Sequence, residues 1–179
     1  MTHKSALPET PAIAAAVDEH PEIVEFRYVD DIPGANPMVV AKTTGFLGGS
    51  ELRRYCRERG GSAEFDVLVV DEMPKPDISA ADLRSLAEQA QEGAFSAFAT
   101  PQGPVETALV EMWERLLEFA PISVLDDFVE LGGDSLIALE VAVEISQTWG
   151  RNLSLVDLID ASSIRRLARI LDTTTDGSR

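Results

Sequence analysis

The residues best placed to do chemistry lie in the run Leu131-Gly132-Gly133-Asp134-Ser135-Leu136. Two glycines permit a close approach of backbone, and aspartate is a strong N-cap for a following helix. That puts the Ser135 hydroxyl on a first helical turn, beside backbone N–H groups and the positive end of the helix dipole. A phosphate ester on that oxygen would be favoured there. Taken alone, the four residues Gly132 to Ser135 are equally a turn and a cap, because short motifs match by chance.

Other candidates carry less. Gly45-Phe46-Leu47-Gly48-Gly49-Ser50 places glycines before a helix, but no Lys-Ser or Lys-Thr pair follows, so a strand-to-helix connection explains it better than a phosphate loop. Cys56 has Arg53, Arg54 and Arg57 close by in sequence, which could lower its pKa, although a plain structural thiol accounts for it. His3, His20 and Cys56 lack metal-ligand spacing. Arg165, Arg166 and Arg169 read as a solvated helix face, and Glu140 and Glu144 as solvation or as a surface for a basic partner. Neither a paired-carboxylate site nor a Ser-His-Asp or Cys-His arrangement is evident.

Composition narrows the class. The chain has 179 residues and a formal charge of −16. Nine basic and seventeen acidic residues precede position 101, and six and fourteen follow it, so both halves are equally acidic. Such a balance argues against nucleic acid and against an anionic membrane surface. No run approaches 18 uninterrupted apolar residues, the N-terminus lacks the apolar core of a signal peptide, and the single cysteine suits a reducing compartment. A cytoplasmic protein is expected.

The elements that would position Ser135 follow from periodicity. After a disordered start over 1–10, a helix runs to His20. IVEFRYV and MVVAKTT form a hairpin around the turn-rich DDIPGANP, and Ser50 caps a second helix. FDVLVVDEM is a strand, and Ser79 with Asp82 opens a third helix. This is an α+β unit over 11–91 with a three-stranded sheet. Residues 92–103, EGAFSAFATPQG, read as a linker whose Phe95 and Phe98 dock on a neighbour. Beyond it, Val105, Leu109, Met112, Trp113 and Leu116 mark one apolar face, with Pro104 in the first turn. A long loop anchored by Ile122, Val124, Leu125, Phe128 and Leu131 leads to a helix from Ser135 to about Trp149. A short helix near Leu155–Ile159 and a last helix capped at Ser162 or Ser163 complete an all-α four-helix domain over 104–172, with a disordered tail over 173–179.

VETALVEMWERLL, VLDDFVELGGDSLIALEVAVEI and LSLVDLIDASSIRRLARIL together resemble the peptidyl carrier proteins of nonribosomal peptide synthetases, from about Pro104 to Leu171. The resemblance implies that Ser135 takes 4'-phosphopantetheine from coenzyme A through a separate phosphopantetheinyl transferase. It implies that Asp134, Leu136, Ile137, Leu158 and Ile159 meet that transferase and other partners, and that the domain catalyses nothing itself. An adenylation or other loading enzyme would charge the arm with an acyl or aminoacyl thioester, and condensation or tailoring enzymes would use it.

IAAAVDEHPEIVEFRYVDD, ELRRYCRERG and FDVLVVDEMPKPDISAADLRSL resemble the mobile C-terminal subdomain of adenylation domains. In that family a glycine-lysine pair precedes the last helix. Here the turn reads Pro74-Lys75-Pro76-Asp77-Ile78-Ser79, and the family's hinge, its glycine-rich motif and its large nucleotide-binding subdomain are missing. The expectation is a freestanding carrier with a degenerate, non-catalytic docking unit. The alternatives are a half of a split adenylation enzyme acting in trans through Lys75, an interaction protein never modified at Ser135, or a piece excised from a larger synthetase.

Overall fold

A computed structural model describes residues 10–59, 64–91 and 93–173. The start through residue 9 and the tail from residue 174 lie outside it. The chain divides into two units, the first ending at Phe98 and the second beginning at Ala99.

The first unit comprises α1 (Thr10–Asp18), β1 (Ile23–Val29), β2 (Met38–Thr43), α2 (Gly49–Glu58), β3 (Asp66–Val70), α3 (Ala80–Glu88) and β4 (Phe95–Ser96). β1 and β2 pair antiparallel across the 30–37 turn, whereas β2 and β3 are parallel and need the α2 crossover between them. Both faces of the sheet are covered, which is why four consecutive β2 residues, Met38 to Ala41, are all buried. Val39 and Ala41 face Ile13 and Val17 of α1 and Leu52 and Cys56 of α2. Met38 and Val40 face Leu83 and Ala87 of α3. The period of two therefore divides one strand between two cores.

Two expectations are corrected. The sheet has four strands in the order β1-β2-β3-β4 instead of three, because Phe95 and Ser96, in the segment read as linker, pair antiparallel with Leu68 and Val67. Ser50 does not cap α2. The N-cap is Gly48, with no side-chain cap, and the helix start is satisfied from elsewhere: Gly49 N–H donates to the Gly93 carbonyl at 2.8 Å. Ser79 does cap α3, accepting from the Asp82 N–H at 3.1 Å.

In the second unit α4 (Gly103–Leu116), α5 (Ser135–Trp149), α6 (Leu155–Ala161) and α7 (Ile164–Thr173) enclose one core. Trp113, Phe128, Ile145, Leu158 and Leu167 are among its fully buried side chains. The long loop between α4 and α5 is irregular yet tied down. Ser123 N–H donates to Asp126 Oδ2 at 2.9 Å, Phe128 N–H to the Ser162 carbonyl at 2.7 Å, and Arg165 N–H to the Val124 carbonyl at 2.9 Å. Gly150, at φ 66°, ends α5 in the left-handed conformation that glycine adopts at least cost.

Glu106, itself buried, is fixed from two sides: Arg165 Nε donates to its Oε1 at 3.1 Å and Gln102 N–H to its Oε2 at 2.6 Å. Desolvation pushes the carboxyl up, but the hydrogen bonds from Arg165 and Gln102 and the charges of Arg165 and Arg169 outweigh it and hold Glu106 below the usual carboxylate range. A folded-state value below the unfolded one stabilises the fold above the ordinary glutamate range and is lost as pH falls through the lowered value. The thermal midpoint of the second unit should therefore fall on acidification, and less steeply in Glu106→Gln. Both tryptophans, Trp113 and Trp149, lie in this unit, so their fluorescence reports it. Identical pH slopes in the two proteins would contradict the assignment.

Candidate functional site

Ser135 is the first residue of α5 and is exposed. Its position depends on three neighbours. Asp134, in extended backbone, accepts from Leu136 N–H at 2.8 Å and Ile137 N–H at 2.9 Å through one oxygen, and so caps the helix. Gly132 sits at φ 97°, where side chains are strained, and turns the chain into the cap. Gly133 is buried beneath it, its N–H donating to the Phe128 carbonyl at 2.9 Å. A Cβ at Gly133 would stand 2.5 Å from the Phe128 ring. That ring packs edge-on against Trp113, centroids 4.9 Å apart, so the turn rests directly on the deepest part of the core.

This geometry admits a bulky phosphodiester on the serine oxygen. The Ser135 side chain points into open solvent with no hydrogen-bond partner among the described residues, α5 has no acidic residue in its first turn, and the fifteen-residue helix directs its positive end there. Asp134 Oδ1 is engaged by the Leu136 and Ile137 backbone donors.

An apolar stripe begins beside the serine. Leu136, Leu139 and Val143, at spacings that share one helix face, are 66%, 49% and 49% exposed. On α6, Val156 and Ile159 are also exposed. Ile137 is half-buried against the core. Leu158 is wholly buried and can act on an outer surface only from beneath. Leu139, Val143 and Val156 were not singled out from the sequence, though the i, i+3, i+7 spacing from Leu136 was there to be found. Of the two acidic residues on α5 noted above, Glu144 is paired with Arg115 at 2.6 Å.

Two further candidates lie in the first unit. Cys56 is fully buried and its thiol is pushed up to about 12 by burial, against the pull of Arg59, so the neighbouring arginines do not make it reactive. Lys75 is exposed on a turn whose Pro74 and Lys75 carbonyls accept from Arg27, each at 3.1 Å. No metal-binding group of side chains occurs among the described residues, and no helix among them is long and apolar enough to cross a membrane.

Residues 107–171 match the family model described as phosphopantetheine attachment site, a family whose members receive 4'-phosphopantetheine from coenzyme A. The C-terminal unit is similar to the peptidyl carriers of nonribosomal peptide synthesis. Tyrocidine synthase 2 of Brevibacillus parabrevis is 30% identical over 169 residues, covering 92% of this chain and 5% of the synthase. Isonitrile lipopeptide synthase of Mycobacterium tuberculosis is 35% identical over 147 residues, covering 79% of this chain and 6% of its own length. The chain thus spans a small fraction of these relatives, and both matches are too long to be confined to the carrier. Among solved structures, an active-site mutant of a peptidyl carrier protein is 31% identical over 47% of this chain and 93% of its own, with a TM-score of 0.45. A peptidyl carrier protein in complex with the phosphopantetheine transferase Sfp and coenzyme A is 34% identical over 42% of this chain and 99% of its own, with a TM-score of 0.42.

Proposed function

We propose that Ser135 is the attachment point of phosphopantetheine and that the chain serves a nonribosomal peptide or hybrid assembly line as its acyl or aminoacyl carrier. The observation that carries this reading is an exposed, unbonded serine hydroxyl at the capped start of α5, inside a segment that matches the attachment family. The group supplies a terminal thiol on which cargo is held as a thioester. The protein's own residues position it. Asp134, Gly132 and Gly133 hold the turn, and Leu136, Ile137 and Ile159, with Leu158 supporting from within, offer apolar surface to a transferase, a loading enzyme and the condensation or tailoring enzymes that follow. Incubation with fluorescently labelled coenzyme A, magnesium and a broad-specificity phosphopantetheinyl transferase should label the parent and leave Ser135→Ala dark. Equal labelling of both would move the site elsewhere.

The first unit is read as a non-catalytic relative of the adenylation C-terminal subdomain that docks or orients partners. The exposed Lys75, on a turn with no glycine-lysine pair, supports that reading. Mixed with candidate large nucleotide-binding subdomains, the chain should therefore support no ATP–pyrophosphate exchange. Exchange that Lys75→Ala removes would establish the adenylation alternative instead.

A further inference from the structure

Residues 93–98 are held on the first unit by contacts of two kinds. They lie against the start of α2 and against β3: the Gly93 carbonyl accepts from Gly49 N–H and the Ala94 carbonyl from Val69 N–H, each at 2.8 Å. The fit requires glycine, since a Cβ at Gly49 would stand 2.9 Å from Ser96 N and 3.0 Å from the Ala94 carbonyl oxygen. At the end, Phe98 is gripped through both backbone groups. Its N–H donates to Asp66 Oδ1 at 2.8 Å, and its carbonyl accepts from Asn36 Nδ2 at 2.6 Å. Asn36 also donates to Asp66 Oδ1 at 3.0 Å, and Asp66 is itself buried. The Phe98 ring is buried, with the Arg53 guanidinium 6.0 Å from its centroid. The next residue, Ala99, is already bonded within the second unit, its N–H donating to Ser123 Oγ at 2.9 Å and its carbonyl accepting from Val124 N–H at 3.0 Å.

We propose that the Asn36–Asp66 clamp on Phe98 is a latch that sets the length of the tether between the two units. A strand of two residues contributes little pairing of its own, so the segment depends on its end clamp and on the space above Gly49. Closed, the latch leaves only the Phe98–Ala99 peptide between the two anchored ends. Open, it releases the six residues 93–98, which extended add about 20 Å of chain at roughly 3.3–3.6 Å per residue. The consequence, a longer reach for the attached arm, rests on the carrier reading above. The latch itself is a property of the first unit.

Hydrogen exchange read by mass spectrometry on the full chain tests it, with two variants that open the segment by different means. Asn36→Ala removes the side-chain donor to the Phe98 carbonyl, and Gly49→Ala places a methyl against Ser96. Each should raise exchange in a peptide covering 93–98 by about tenfold or more while peptides of β2 and β3 keep their protection. Unchanged exchange at 93–98 in either folded variant would overturn the latch. So would loss of protection spreading through β2 and β3 in both, since the segment would then be inseparable from the fold of the unit. Neither readout involves Ser135, so a chain that takes no label from coenzyme A would refute the carrier reading and leave the latch standing.

Discussion

Phe128→Ala is expected to cost the second unit about 3–5 kcal/mol, the range for removing a buried aromatic side chain and leaving a cavity. Phe128 is 1% exposed, packs edge-on against Trp113, and supplies the surface on which Gly133 rests. For a unit of this size each kcal/mol lowers the melting midpoint by roughly 4–8 °C, so a drop of about 12 °C or more follows. Tryptophan fluorescence measures it. A midpoint within about 4 °C of the parent, roughly one kcal/mol, would show that the ring is not the support described.

Gly133→Ala attacks the same contact from the other side. The added methyl would meet three atoms of the Phe128 ring at 2.5–2.6 Å, a conflict of space rather than of dihedral angle, and the ring cannot retreat without disturbing Trp113. Overpacking of this kind costs about 1–3 kcal/mol. The two substitutions should couple strongly: in the Phe128→Ala background the Gly133 methyl finds room, and Gly133→Ala becomes nearly free. Denaturant unfolding of the four proteins in the cycle measures the coupling. Strict additivity would mean that the glycine is required for some reason other than the ring. Because the turn carries Ser135, the single variant should also take the arm more slowly from the transferase, with the double variant recovering part of the rate.

The parts of this site governed by local rules were legible in the sequence. Asp134 caps α5 and Ser135 opens it because an N-cap needs only the N–H groups of the second and third residues after it, here Leu136 and Ile137. The α2 start was not legible for the opposite reason. Its donor is satisfied by the Gly93 carbonyl, 44 positions away, so Ser50 offered a local solution that the fold had no need of. The same distant segment explains the glycines before α2: Gly49 admits residues 94–96, and the resulting β4 lies where small residues and a proline suggested only linker. On α6, seven residues make fewer than two turns, too few for apolar periodicity to separate the buried Leu158 from the exposed Ile159. Cys56 reads from the sequence as a plain structural thiol despite the arginines near it, and desolvation at the buried sulfur agrees with that reading. Asp66, a single acidic residue at the head of an apolar strand, gave no sign of its clamp on Phe98, because Asn36 and Phe98 reach it from 30 and 32 positions away.

Attachment of phosphopantetheine at Ser135 is tested by intact-protein mass spectrometry after incubation with coenzyme A, magnesium and the transferase, followed by fragment mapping. A gain of one phosphopantetheine is expected on the parent, located at Ser135, with no gain on Ser135→Ala. A folded parent that gains no mass would contradict it, and would leave a helical domain that has kept the shape of a carrier without its chemistry.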